Sequence, residues 1–343
     1  MEESTMMRVS VIVITLNRPA YLARCIQCLL KQTQRPHEII VVDSSSDDIT
    51  SKLLAAQFPS VIYLRNESDR GNMPCSRNIG IKRASGDIMA FLDDDSFAEP
   101  QWLENIEAPY RDREVGAVGG RALNNQPGES TRGVNEIGKL HANGQIVHNF
   151  AANPGKVIDV DIIIGCNMSF RRDVLGQLGG FREYYGGSGS CEDTDICLRV
   201  KQLGYRLQFS PAACVEHVGA PQSKGRRFDL RYEFYGYRNF HIMLMVNYGL
   251  FSPRFWHPAA YHFYYGVIGE FVRKMGGALL RALSKPAGSI CGVAIGGLLR
   301  LTRGGSPERR DKEGNEIRRL LGTGDAAPVR PPNGGAEPVL SRG

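Results

Sequence analysis

Ala90, Phe91 and Leu92 run straight into three carboxylates, Asp93, Asp94 and Asp95. Adjacent carboxylates repel one another, and desolvating each is costly unless a positive charge shares the site. An apolar run that delivers three of them to its carboxyl end therefore offers a place for a divalent cation. Hard oxygen ligands suit Mg2+ or Mn2+, and Mg2+ is commonly held by carboxylates plus substrate phosphates. A solvated acidic turn after an ordinary strand is the alternative. Two other positions set titratable groups in suggestive places. His217 follows the strand-like Cys214, Val215 and Glu216, where a neutral imidazole can add a ligand to Mn2+, although a lone histidine is more often packed or at the surface. Glu192 and Asp193 open a helical pattern after the glycine-rich run 186–190, where acidic side chains also serve as caps favoured by the macrodipole.

The elements that would position these groups can be read from periodicity. Residues 9–15 form a continuous β-branched run, as expected of a strand buried on both faces. After Leu16, Asn17, Arg18 and Pro19, the residues Tyr21, Leu22, Cys25, Ile26, Leu29 and Leu30 repeat at helical spacing. Residues 38–42, 61–64 and 87–92 read as further strands, with helical stretches running to Gln57 and over 78–83. Strands alternating with helices imply a parallel sheet. Ligands gather outside the carboxyl ends of such strands, and Thr15 to Arg18, Asp43 and Asp93 to Asp95 all follow strands directly. Further on, 115–119 and 161–164 look like strands, 120–154 like loops or short strands, and 192–203 like a helix.

Composition narrows the class. The 343 residues are 42% hydrophobic and 23% charged, ordinary for a globular protein. A net charge of +6 suits an anionic substrate or a membrane surface, but there is no basic stripe to argue for nucleic acid. The eight cysteines lack framework spacing, and Cys25 and Cys28 form a lone C-x-x-C expected to occupy half-buried helix positions. That usage fits a reducing, cytoplasmic setting. Glu2 and Glu3 argue against a signal peptide, and no stretch reaches the roughly 18 apolar residues that would read as a spanning helix. No G-x-G-x-x-G follows the first strand, which argues against a dinucleotide-dependent dehydrogenase. The same turn lacks the glycine-rich phosphate loop expected of a nucleotidyltransferase.

Taken in order, the motifs resemble those of the family-2 glycosyltransferases, GT-A fold enzymes that use nucleotide-diphospho-sugars. The resemblance runs from residue 8 to about 240. It includes Val9 to Pro19, Glu38 to Asp43, Arg70-Gly71-Asn72, Arg77 to Gly80, Gly86-Asp87, Phe91 to Asp95, Gly165 to Met168, Gly179-Gly180-Phe181, Glu192 to Asp195, and His217. The departure is Asp43-Ser44-Ser45-Ser46, where the family more often has a second Asp and a Gly.

The resemblance implies an α/β chain of GT-A type, with a mostly parallel, Rossmann-like nucleotide half, a mixed acceptor half and a C-terminal helical region. It implies a nucleotide-diphospho-sugar donor, Mn2+ or Mg2+, and a carbohydrate or lipid-linked acceptor. Thr15, Asn17 and Asp43 would meet base and ribose, with Asp43 on the base. Arg18, Arg70, Gly71, Asp94, Asn167 and Glu192 would complete the donor site, Asp94 orienting rather than ligating. Arg77 would pair with Asp93 or the phosphates, and Asp93 would contact ribose. Asp95 and His217 would hold the metal. In the loop 219–227, Lys224, Arg226 and Arg227 would neutralise the leaving diphosphate; a merely solvated basic loop is the other reading. Asp193 would deprotonate the acceptor hydroxyl in one inverting displacement, while Asp195 and Arg199 form an i,i+4 pair. A soluble protein or small-molecule acceptor is the alternative. A non-catalytic sugar- or partner-binding module is another, but it would be expected to lose Asp95, Asp193 and His217.

The expected organisation is a transferase domain over 1–225, an aromatic-rich helical region over 226–302 and a disordered tail over 303–343. Aromatics interleave with arginines from 231 to 265, as in a packed helical subdomain or a surface meeting lipid headgroups. The latter would place the chain at the cytoplasmic face of a membrane. Residues 290–299 are apolar but short and glycine-rich.

Overall fold

A computed structural model describes residues 6–187, 190–219, 230–263, 279–304 and 312–323. Strands β1 (Val9–Thr15), β2 (Glu38–Asp43), β3 (Ile62–Arg65) and β4 (Ile88–Asp93) are mutually parallel in the order β3-β2-β1-β4. Helices α1 (Pro19–Leu30), α2 (Ile49–Gln57) and α3 (Met73–Arg83) make the crossovers. All seven residues of β1 are buried, as its unbroken β-branched run requires. The side-chain period of two splits that strand between two cores. Ile12 and Ile14 face one, with Phe91, Phe170 and Phe181, while Val9, Val11 and Val13 face the other, with α1 and Trp102. Phe91, Phe170 and Phe181 pack edge to face with centroids 5.4–6.1 Å apart.

Register sets the functional edge. Thr15 lies opposite Asp43 and Ile14 opposite Asp93, so three parallel strands end level. The sheet then turns mixed. Strand β10 (Asn167–Arg171) runs antiparallel between β4 and β6 (Val115–Leu123), so its first residue starts at the same edge. Strand β11 (Arg206–His217) runs parallel to β6 and takes β9 (Ile158–Val160) and β5 (Ser96–Ala98) antiparallel, while β7 (Lys139–Leu140) and β8 (Ile146–Val147) form a separate antiparallel pair. Only Asp94 and Asp95 separate β4 from β5. Because His217 pairs with Ser96, the end of β11 is brought beside that turn.

Strand β11 shifts register against β6 between Ser210 and Cys214. At that irregularity a Cβ on Gly120 would lie 1.8 Å from the Ala213 carbonyl oxygen, so only glycine fits. Helices α4 (Trp102–Glu107), α5 (Arg172–Leu178) and α6 (Glu192–Gln202) cover the sheet. Helix α7 (Leu230–Tyr248) packs on α6 and against the long helix Leu279–Gly304. Gly288, Gly292 and Gly296 make that approach possible. A Cβ on each would fall 2.3–2.7 Å from Phe234, Arg238 or Met245 of α7.

Two sequence expectations need correction. Residues 161–164 are not a strand: the strand is Ile158–Val160. The N–H groups of Asp161 and Ile162 both donate to the Gly138 carbonyl, and Ile162 and Ile163 are buried by packing without sheet pairing. Within the expected disordered tail 303–343, residues 305–311 and 324–343 lie outside the described residues, and 312–320 form a helix. The helix Lys312–Leu320 docks on α3 and α5, with Ile317 fully buried and Lys82 paired to Glu316 at 2.8 Å. Gly179 and Gly180 receive it, both at positive φ, with Arg318 and Ile317 filling the space side chains would need. Ile317→Ala should lower the unfolding free energy by about 2–5 kcal/mol in a denaturant titration. An unchanged midpoint would mean that this helix adds nothing to the core.

Candidate active site

At the level edge, Asp43 is fully buried. It accepts the Ser45 N–H at 2.8 Å and the Tyr63 hydroxyl at 3.2 Å. Asn17 sits exposed in the left-handed region (φ 56), which asparagine tolerates, and its N–H donates to Ser45 Oγ at 2.7 Å. The serines that depart from the family pattern therefore hold the turns after β1 and β2 together. Arg70 and Gly71 form the exposed turn after β3, with Gly71 at φ 79, and Asn72 caps α3 by accepting the Cys75 N–H.

The three carboxylates have separate surroundings. Asp94 turns inward, accepts the Thr15 hydroxyl at 2.7 Å and pairs with Arg18 at 3.0 Å. Burial pushes its carboxyl up to about 7 despite Arg18 and Thr15. Asp95 lies 3.4 Å from Arg18 and 3.6 Å from His217 Nε2. Asp93 is half-buried, 3.4 Å from Arg77. One ligand atom each from Asp93, Asp95 and His217 lies within 4.8 Å of the others. Two carboxylates and an imidazole are a donor set suited to Mn2+. Arg18 pairs with Asp94 and Asp95, and Arg77 with Asp93 and Glu192. The residues present fit a divalent cation.

Arg77 joins this group to the acidic end of α6. It is 1% exposed, 3.0 Å from Glu192, and donates to the Gly165 carbonyl at 3.4 Å while lying over the Phe181 ring. Gly165 returns the connection, its N–H donating to Asp193 Oδ2 at 3.1 Å. Thr194 N–H donates to Asp193 Oδ1 at 2.7 Å. Asp193 is thus a half-buried carboxylate held by two backbone donors, a geometry able to receive a proton from a neighbouring hydroxyl. The residue before the helix, Cys191, is left-handed at φ 72 although it is not glycine, a strained corner that aims Glu192 and Asp193. Burial and the Asp193 charge raise the Glu192 carboxyl to about 8, outweighing Arg77.

Some expected ligand-site residues do other work. The Asn167 amide donates to the carbonyls of Arg121 and Ala213 at 2.8 and 3.0 Å and accepts from the Trp102 indole at 2.9 Å. Fully buried, Asn167 thereby pins β6 to the β11 irregularity. Thr15 is likewise buried and spends its hydroxyl on Asp94. Arg226, with Lys224 and Arg227, lies outside the described residues.

Reasoning from sequence missed what fixes α6. Asp195 pairs with Arg199 at 3.6 Å as expected, but also with Arg182 at 2.8 Å, and it accepts from Tyr185 and from Asn247 of α7. Asn239 of α7 donates to the carbonyls of Gly186 and Ser190, gripping the glycine-rich run before Glu192. Nothing in a linear pattern links positions 52 residues apart, as Asn247 and Asp195 are.

The raised Glu192 carboxyl has a definite stability signature. The folded chain binds a proton that the unfolded chain releases above about 4.5, so this contribution is complete at low pH and is lost as pH rises towards about 8. The unfolding free energy of the wild type should therefore fall over that range relative to Glu192→Gln. Parallel pH profiles would show that Glu192 titrates as an ordinary glutamate.

Comparisons with known proteins bear on the family and the fold. Residues 10–179 match the Glycosyl transferase family 2 domain. The chain is 26% identical over 238 residues to a glucosyl-dolichyl phosphate glucuronosyltransferase of Haloferax volcanii, covering 66% of this chain and 72% of that protein. It is 29% identical over 224 residues to the glycosyltransferase AglE of the same organism, covering 64% and 69%. Among solved structures, the mannosyltransferase PcManGT from Pyrobaculum calidifontis, in complex with GDP-Man and Mn2+, superposes with a TM-score of 0.53. That match covers 93% of this chain and 86% of the other at 18% identity, a likeness of fold. The chain belongs to the family-2 glycosyltransferases and has the GT-A fold.

Proposed function

We propose that this glycosyltransferase moves a sugar from a nucleotide-diphospho-sugar to an acceptor hydroxyl with inversion at the anomeric carbon, and that Asp193 is its base. The observation that carries the reading is the buried bridge from Asp93 through Arg77 to Glu192 and Gly165, which sets Asp193 beside the Asp93, Asp95 and His217 group. Asp43, Asn17 and the 70–71 turn would receive the nucleotide along the strand ends. Asp93, Asp95 and His217 would hold Mn2+ or Mg2+, which when bound supplies positive charge opposite the diphosphate.

Asp193, oriented by the Gly165 and Thr194 N–H groups, takes the acceptor proton as the hydroxyl oxygen bonds to the anomeric carbon. The bond from that carbon to the diphosphate oxygen breaks on the opposite face, and the nucleotide diphosphate leaves with the electron pair. No second carboxylate has to act as a nucleophile. A carbohydrate or lipid-linked acceptor, reached from the cytoplasmic face of a membrane, fits the relative that by name acts on glucosyl-dolichyl phosphate. The eight cysteines, none of them in a disulfide, fit a reducing compartment.

Asp193→Asn should lower turnover by roughly 10²- to 10⁴-fold while leaving nucleotide-sugar binding nearly intact, as read by calorimetry and product release. Undiminished turnover would sink the base assignment. Separately, a chelator should abolish transfer and added Mn2+ restore it, with Asp95→Asn and His217→Ala each demanding more Mn2+ for half-maximal rate. Activity indifferent to chelator would remove the metal from the scheme.

A further inference from the structure

The long helix Leu279–Gly304 is apolar on two opposite faces, and α7 covers one of them. Gly288, Gly292 and Gly296 lie against α7, while Ala287, Ile290, Ala294 and Leu298 point the other way. Ile290 is 72% and Leu298 62% exposed. A helix apolar all round is stable only when both faces are covered by protein or lipid. No charged residue occurs between Lys285 and Arg300, a stretch of 14 residues or about 21 Å, well short of a bilayer core of roughly 30 Å. No described helix is long and apolar enough to cross a membrane.

Charge and aromatic placement say what covers the outer face. Every charged residue of this helix is basic in sequence, Arg281, Lys285, Arg300 and Arg303, and of these Lys285 is buried with its ammonium over the Tyr237 ring of α7. Where α7 turns into α8 (Pro253–Phe263), Phe251 is 97% and Trp256 54% exposed, with Arg254 and His257 beside them. Phe255 of α8 and Leu299 of the long helix share one apolar cluster, so the two exposed patches border the same small core. Aliphatic and aromatic surface with the exposed Arg254 and His257 beside it, on a helix whose charged residues are all basic in sequence, is complementary to anionic headgroups.

We propose that the outer face of the helix Leu279–Gly304, with Phe251 and Trp256, docks this enzyme flat on an anionic lipid bilayer. The proposal rests on the lipid-linked acceptor reading and extends it. The docked helix grips α7, and α7 holds the approach to Asp193 through Asn239 and its helix through Asn247. Seating the helix on the surface thereby sets the height at which an acceptor headgroup meets the base.

The test is flotation of the full chain with vesicles of phosphatidylglycerol and phosphatidylcholine, and with phosphatidylcholine alone. The wild type should float with the anionic vesicles. The double variant Ile290→Glu, Leu298→Glu should lose roughly tenfold or more of that binding, while slow hydrolysis of the nucleotide-sugar in buffer stays unchanged and certifies its fold. Equal flotation of variant and wild type, or no flotation of the wild type, overturns the proposal. So does a wild-type dimer in light scattering that the double variant converts to monomer, since a second copy would then own the face. Transfer to a detergent-dispersed polyprenyl phosphate acceptor is scored separately. If it persists without flotation, docking alone fails; if it is absent despite flotation, docking stands and the acceptor reading fails.

Discussion

The site depends on one buried guanidinium. Arg77 is sealed from solvent and joins three elements that are distant in sequence: the end of β4 through Asp93, the loop before β10 through the Gly165 carbonyl, and the start of α6 through Glu192. Removing one member of such an arrangement leaves charge buried without a partner, which typically costs about 3–5 kcal/mol. Replacing the guanidinium by an ammonium would keep the charge but lose the planar fork that reaches several acceptors at once. The Asp93, Asp95 and His217 group and the Asp193 carboxylate are therefore not two arrangements that happen to adjoin. They share a post.

The parallel half was legible because its signals are local. An unbroken β-branched run means a strand covered on both faces, and polar residues that terminate three such runs mark the edge where ligands gather. The pairing of Asp95 with His217 followed only from family resemblance, because it is produced by register: two residues turn β4 into β5, and Ser96 lies opposite His217. Periodicity cannot report register between strands over a hundred residues apart. Residues 161–164 misled for a related reason, since their apolar side chains are buried by packing while their backbone bonds elsewhere.

Asn167 shows the limit on the side of function. It stands in a motif that suggests a ligand contact, yet its amide is spent on Trp102, Arg121 and Ala213. An asparagine that must satisfy a strand irregularity and one that must touch a sugar look alike in a sequence. What tells of the first role is the set of partners that the fold supplies, here two carbonyls and an indole. Asp94 and Asp95 divide in the same way: the first is turned into the fold by Thr15 and Arg18, and the second faces His217.

The helix Lys312–Leu320 closes the chain onto α3, the same helix that carries Arg77, through Lys82 one turn and a half further along. Its contacts at Gly179 and Gly180 sit just ahead of Phe181, whose ring lies under the Arg77 guanidinium. The last described segment of the sequence is thus a neighbour, at one remove, of the innermost charge. Trimming such a protein after its long helix would look harmless on a linear map, yet it would uncover the back of the scaffold on which the reactive groups are aligned.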